Sequence, residues 1–545
     1  GCGRGGAGRL GAEAGSELRL SKGRGFWAGP LRPARGVELS RQRRVPTGLQ
    51  PFSRFVAAFG SSPERLWPGS PALGVVCVDV RSLGPGVCPW PRRPGAESLP
   101  LSRAVPAMEE PGSRADALKG VMPCPLSRPL FQQEDKQGVT YRIPALLYVA
   151  PADTFLAFAE KRSTSKDVDA LHLVLRRGLR TGRSVQWGPM TPLMEATLPQ
   201  HRTMNPCPVW EEKHGLVYLF FICVRDHVTE KHQIVSGRNA ARLCVICSED
   251  AGRSWGEVRD LTEEVIGPEV KRWATFAVGP GHGVQLQSGR LVIPAYAYYV
   301  PHCCFGFPLP CASKPHSLMI YSDDLGTTWH HGRLIQPLVS GECQVAEVTG
   351  RTDHPVLYCS ARTPKRYRAE AVSTDSGECF QRSALNQQLL EPPHGCQGSV
   401  VSFQPRELLR GYQAPRGKDS PPKTPHPQLD NSRRLQQEAG SESWLLYSHP
   451  TSKKQRVNLG IFLNHSPLEA ACWSHPWVLH WGPCGYSDLA AVEKEGLFGC
   501  LFECGIEQEC EQIVFCLFTD QEILSHMQEH CIDPGRTPHW FRAHQ

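Results

Sequence analysis

Several side chains carry chemistry that their neighbours do not need. Arg142 stands in the run Tyr141-Arg142-Ile143-Pro144. A planar guanidinium bonds a carboxylate through two parallel N–H groups and keeps its charge, although a lone arginine among apolar residues also reads as a surface charge on an edge strand. The stretch from Phe158 to Asp169 gathers Glu160, Arg162, Asp167 and Asp169. Carboxylates of this kind transfer protons when their surroundings raise the pKa and are otherwise solvated loop charges. Glu342 and Glu347 are five residues apart; on an unbulged strand that odd step points them to opposite faces, so only one can enter a shared site. Tyr296 and Tyr298 alternate and share a strand face, as a wall for a ring-shaped ligand or as plain β packing. Tyr486, in Cys484-Gly485-Tyr486-Ser487-Asp488, is a phenol of pKa ~10 that needs a neighbouring base to act as a nucleophile. Cys244 and Cys247 have the spacing of a zinc half-site, but neither a second pair nor clustered histidines complete four ligands. No metal and no cofactor is expected.

Bringing such distant residues together takes a large folded body, and the composition supplies one: 40% of residues are hydrophobic and 21% charged, as in globular proteins. The formal net charge of +7 is unevenly spread. Residues 1–107 hold 15 arginines and one lysine against six acids, leaving 44 basic and 47 acidic side chains in the remainder. The body therefore has no bulk attraction for nucleic acid or other polyanions, and any anion it handles must be gripped locally. The 22 cysteines are scattered through apolar runs such as Leu243-Cys244-Val245-Ile246-Cys247. That pattern reads as reduced thiols in buried strands, as expected of a cytosol-facing chain. No uninterrupted apolar run reaches the ~18 residues that cross a bilayer as a helix.

Residues 1–107 are rich in Gly, Arg, Pro and Ser and show no periodicity, so they are expected to be disordered. The first methionine is Met108, and translation of the natural chain is expected to start there or nearby, with an acidic lead-in over 108–130. From Phe131 to about residue 520 the chain is a series of short apolar runs between turn residues, among them 145–149, 216–224, 291–299 and 513–518. With few amphipathic helices between them, an all-β sandwich, barrel or propeller is expected. Residues 404–443 break the pattern and read as a disordered insert between strands, and 521–545 as a tail that begins with a short helix from about Leu524.

One pattern recurs: Ser248-Glu-Asp250-Ala-Gly252-Arg-Ser-Trp255, Ser322-Asp-Asp324-Leu-Gly326-Thr-Thr-Trp329 and Ser373-Thr-Asp375-Ser-Gly377-Glu-Cys-Phe380. In a hairpin turn the Asp can accept hydrogen bonds from turn amides, the Gly can take a positive φ, and the aromatic can pack beneath. Unequal spacing suits one hairpin per blade of a propeller with variable loops. These repeats resemble the Asp-boxes of the sialidases, which brace turns away from the catalytic face; Phe380 departs from the usual Trp and weakens that blade's assignment. The resemblance implies an all-β, six-bladed β-propeller.

It also implies roles for the residues that match the family's motifs. Arg142, in Arg-Ile-Pro, resembles the first of three arginines that hold the sialate carboxylate. Arg362, after Ser360-Ala361, and Arg456, after Gln455, match the second and third, with Arg366, Arg368, Lys453 and Lys454 as nearby competitors. Tyr486 matches the nucleophile, Glu342 its base and Asp167 the acid/base, with Asp169 close enough to compete. Glu160 aligns with the carboxylate that braces Arg142, Arg162 with a sugar contact, and Asn205, Glu230, Tyr296 and Tyr298 with residues around the N-acetyl and glycerol groups. A tyrosine suits a substrate that is itself a carboxylate, since an uncharged phenol approaches without the repulsion a carboxylate nucleophile would meet.

Within the family the chain is most similar to the animal plasma-membrane ganglioside sialidases, through runs such as Thr154-Phe-Leu-Ala-Phe-Ala-Glu-Lys-Arg-Ser163 and through the insert. That resemblance implies hydrolysis of terminal sialic acid from gangliosides, with glycoproteins as further substrates. It also implies peripheral association with the plasma membrane, and with endosomal or lysosomal membranes. The apolar stretch 300–311 could touch lipid, with Cys303 and Cys304 open to acylation, or be a buried loop. Two other readings are a non-catalytic sialic-acid-binding propeller, which need not keep Tyr486, Glu342 and Asp167, and a sialidase acting mainly on glycoproteins and oligosaccharides.

Overall fold

The computed structural model describes residues 127–532 apart from 136–137, 303–305, 351–353, 407–441 and 470–471. The expected prefix 1–107, most of the lead-in, Cys303 and Cys304, nearly all of the insert and the end of the tail lie outside the described residues. Alternating apolar runs pair as antiparallel hairpins, and the hairpins assemble into six four-stranded blades. Blade one is built from Thr140–Val149, Thr154–Arg162, Ala170–Thr181 and Ser184–Leu193, inner strand first. Blades two, three and four repeat the order over residues 201–260, 273–331 and 343–390. Blades five and six are joined by the 16-residue strand Trp477–Val492, whose first part pairs with Val457–Asn464 and whose second part pairs with Leu497–Cys504. The ring is closed by Arg128–Gln132, which pairs with Gln512–Thr519 as the outer strand of blade six. The propeller thus begins three residues before Phe131.

Six hydrophobic clusters follow, one between each adjacent pair of blades around the ring. Cys207, Cys223, Cys244, Cys343 and Cys359 are buried free thiols on these strands. The C-terminal helix, Asp520–Ile532, starts earlier than expected and sends Ile523 and Met527 into the cluster between blades five and six. At the centre, the fully buried Asp488 accepts hydrogen bonds from Leu146 N, Ser399 Oγ and His282 Nδ1, each at 2.7 Å. Those partners come from blade one, blade five and the start of blade three, so a single carboxylate ties the blades at their axis.

The three Asp-boxes occupy the turns from the third to the fourth strand of blades two, three and four. In each, the serine hydroxyl donates to the aspartate at 2.6–2.9 Å and accepts the glycine N–H at 2.8–2.9 Å. The aromatic packs toward the preceding blade: Trp255 on Phe158 and Trp329 on Phe220. Phe380 joins the cluster shared by blades three and four, so the substitution for Trp leaves that blade complete.

The Thr328 amide, with the Thr328 and Ser322 hydroxyls, pulls the Asp324 carboxyl down to about 2. A depressed carboxylate pKa stabilises the fold above the unfolded value of about 4, and that contribution is lost as pH falls toward 2. Asp324→Asn is therefore expected to melt below wild type at neutral pH, with the gap closing on acidification. A gap in melting temperature that does not change with pH would show that the charge is not what braces the turn.

Candidate active site

The inner strands do not run straight to the top of the ring. Register breaks between Arg142 and Ala145 in blade one, between Met204 and Cys207 in blade two, and between Cys484 and Ser487 at the entry to blade six. Such bulges re-aim side chains. In the first two, Ile143 (φ 60) and Asn205 (φ 58) adopt left-handed backbone just before a proline. That conformation is strained for a β-branched isoleucine, and buried carboxylates hold it. Glu503 Oε1 accepts Ile143 N at 2.8 Å, and Glu160 Oε1 accepts Asn205 N at 2.7 Å. Gly485 is required by close approach: a Cβ there would lie 2.2 Å from Glu503 Oε2.

These bulges bring Arg142 and Tyr486 together at the top of the ring. Tyr486, only 7% exposed, donates from Oη to Glu342 Oε1 at 2.6 Å. Arg362 Nη1 reaches both Glu342 Oε2 at 2.7 Å and Tyr486 Oη at 2.8 Å. Arg142 and Arg456 lie over the same phenol ring, 5.7 and 5.5 Å from its centroid. Three guanidinium groups from blades one, four and five therefore converge on one phenol. Burial, and then the Glu342 charge, push the Tyr486 pKa well above 10, against the pull of Arg362 and Arg456. The phenol is protonated and shares its proton with Glu342.

The alternatives left open by the sequence separate in space. Glu347 takes a hydrogen bond from Gln287 N and has no contact with Tyr486. Arg368 is fully buried against Glu391 and Ser360, while Arg366, Lys453 and Lys454 point to solvent. Asp167 faces Arg162 at 2.6 Å with its side chain 63% exposed, whereas Asp169 turns back on Thr164. Cys244 and Cys247 lie three positions apart on one strand and so face opposite sides of it.

One expected assignment is corrected. Glu160 does not brace Arg142; its Oε2 takes both Nε and Nη2 of Arg162, at 2.8 and 2.6 Å. The brace on Arg142 is Glu503, bonded to Nε at 2.7 Å and Nη2 at 3.2 Å. Burial penalises the Glu503 charge, but Arg142 and the Ile143 and Tyr486 amides outweigh it and hold the pKa below the usual carboxylate range. The register explains the difference. Glu160 sits opposite Arg142, but Arg162 lies two residues along on the same face while the bulge turns Arg142 toward blade six. The signal for Glu503 was a single acid in the otherwise apolar strand Leu497–Cys504, since a buried charge needs a partner.

Tyr296 and Tyr298 meet edge to face, with ring centroids 6.3 Å apart. Glu230 opens the short helix Glu230–Ser236, which Thr229 caps through its side chain. Partial desolvation by the surrounding loops, and then the charges of Glu342 and Asp167, raise the Glu230 pKa to about 7 against the pull of Arg362.

A closed six-bladed ring with an arginine cluster around a buried Tyr–Glu pair is the architecture of a sialidase, and the chain belongs to that family: it is an exo-α-sialidase, a glycoside hydrolase of sialylated glycoconjugates. The BNR repeat-like domain matches residues 153–500. Sialidase-3 of Homo sapiens is 72% identical over 428 residues, covering 78% of this chain and 100% of that protein. Sialidase-4 of Mus musculus is 44% identical, covering 73% of this chain and 94% of that protein. Among solved structures, the Hadza microbial sialidase Hz136 shares the fold with a TM-score of 0.54 at 20% identity, over 73% of this chain and 69% of its own.

Ionisation of Glu230 as pH rises through about 7 adds a negative charge beside Glu342, in a pocket whose substrate is anionic. The kcat/KM profile should therefore fall on its alkaline side around neutrality. Glu230→Gln should shift that limb to higher pH, and an unmoved limb would assign it to another group.

Proposed function

We propose that this sialidase removes terminal sialic acid with retention of configuration, using Tyr486 as nucleophile. The observation that carries the reading is the 2.6 Å hydrogen bond from Tyr486 Oη to Glu342 inside a ring of three arginines. Arg142, Arg362 and Arg456 would seat the sugar's carboxylate, and Arg162, Asn205, Glu230, Tyr296 and Tyr298 would contact the rest of the ring. As the phenol oxygen bonds to the anomeric carbon, its proton passes to Glu342 and Asp167 protonates the departing glycosidic oxygen. In the second step Asp167 takes a proton from water, the water oxygen replaces the phenol, and Tyr486 recovers its proton from Glu342. Two displacements restore the original configuration; among glycosidases, sialidases are the recognised exception in using tyrosine.

Glycolipid substrates presented at a membrane, gangliosides above all, fit the rim of the site. The loops joining second and third strands surround the pocket. They carry Val235 at 65%, Phe307 at 68%, Leu309 at 39% and Ile506 at 89% exposure, and Lys365, Arg366, Lys453 and Lys454 lie on the same face. Exposed apolar tips beside cations suit peripheral contact with an anionic lipid surface, the plasma membrane foremost.

Two measurements test these readings. Tyr486→Phe and Glu342→Gln should each remove nearly all hydrolysis of a fluorogenic sialoside, while Glu347→Gln should retain it; the reverse order for the two glutamates would sink the base assignment. Phe307→Asp/Leu309→Asp should slow release of sialic acid from gangliosides in phosphatidylserine-containing vesicles while leaving soluble sialyllactose unaffected. Equal rates on vesicles would remove this rim from membrane contact.

A further inference from the structure

The connection from blade four to blade five, between the strands Gln381–Leu390 and Ser399–Phe403, touches three members of the site. His394 and Gly395 are both left-handed, with φ of 64 and 70. The His394 carbonyl accepts from Arg362 Nε at 3.0 Å and Nη2 at 2.9 Å, and the Gly395 carbonyl accepts from Arg456 Nη2 at 3.0 Å. Cys396 packs with Ile143 and Tyr486. The buried Gln397 exchanges two 3.0 Å hydrogen bonds with the backbone of Ser487, donating to its carbonyl and accepting its N–H. Four consecutive residues thus connect two guanidinium groups to the strand that bears the phenol.

Behind them lies a charged group turned away from the pocket. Glu391 accepts Cys396 N at 2.9 Å, meets Arg368 Nη1 at 3.1 Å and faces His449 Nε2 at 3.2 Å. Arg368 Nη1 also donates to the Cys396 carbonyl at 2.6 Å. Both charged side chains have no exposed surface. Burying such a pair is costly and gives little stability over an apolar replacement, so its value here lies in where it holds the loop. Gly395 has no room for a side chain: a Cβ would lie 2.5 Å from the Thr363 carbonyl and 2.8 Å from Arg362 Cγ.

We propose that residues 394–397, held from behind by Glu391, Arg368 and His449, are a positioning element that sets the distance between the carboxylate clamp and the nucleophile. They act through Arg362, Arg456 and the strand that carries Tyr486, and the inference rests on the roles proposed for those three residues. The two ends of the segment serve different partners. Disturbing Gly395 should misplace the clamp, and disturbing Gln397 should misplace the phenol.

The test compares Gly395→Ala with Gln397→Met on a fluorogenic sialoside, with free sialic acid as a competitive inhibitor and rates normalised to the fraction folded in thermal melts. Gly395→Ala is expected to raise KM and the sialic acid inhibition constant, and Gln397→Met to lower kcat with little change in that constant. Each change should be about 100-fold, the scale of a misplacement near 1 Å. Losses that vanish on normalisation, or that fall equally on KM and kcat in both variants, overturn the proposal. Should Gly395→Ala not fold, an undiminished kcat in Gln397→Met overturns it alone. Tyr486→Phe and Arg456→Lys run alongside: wild-type turnover in those would instead refute the underlying site roles.

Discussion

Three guanidinium groups crowded around one buried phenol repel one another, and the rest of the molecule follows from keeping them there. Each has its own restraint. Arg142 is gripped by Glu503, Arg362 by Glu342 and the His394 carbonyl, and Arg456 by the Gly395 carbonyl. Two of these restraints are carboxylates and two are neutral dipoles. The cluster therefore keeps an excess of positive charge in a setting where water screens poorly, as the proposed carboxylate clamp requires. Because its donors are already oriented, the site reorganises little when charge moves during reaction.

The propeller is suited to that task because its ring brings the tops of six inner strands to one point. Two buried glutamates work in parallel, each reaching from the second strand of one blade to a bulge on the inner strand of the next: Glu503 to Ile143 across the closure of the ring, and Glu160 to Asn205. Strain at those bulges is tolerated because the carboxylates that fix them are also partners of arginines in the pocket. Closure by Arg128–Gln132 consequently bears on chemistry as well as stability, since it completes the blade that carries both Tyr486 and Glu503.

The sequence made the blades legible because their signals are local. The Asp-box places serine, aspartate, glycine and aromatic within eight residues, and all three copies form the same hydrogen-bonded turn. Arg142, Arg362, Arg456, Glu342 and Tyr486 were readable as motifs and do converge. Braces were not readable, since they are relations between blades: Glu503 and Arg142 are 361 residues apart, and Glu160 was assigned to Arg142 through the family resemblance alone. The segment 394–397 acts through backbone carbonyls and one amide side chain, whose directions no residue type reveals. The early start of the C-terminal helix was equally hidden, because its apolar residues are recruited by a cluster formed elsewhere in the chain.

The most direct test is to identify the atom that receives the sugar. A sialosyl fluoride bearing a second fluorine beside the anomeric carbon loses fluoride to form the enzyme adduct, but its withdrawn electrons slow hydrolysis of that adduct, so the intermediate accumulates for intact mass measurement and peptide sequencing. The adduct should be found on Tyr486 and be absent from Tyr486→Phe. Sugar attached to Glu342 or Asp167, or a wild-type yield of adduct in Tyr486→Phe, would contradict a phenol nucleophile held among three arginines.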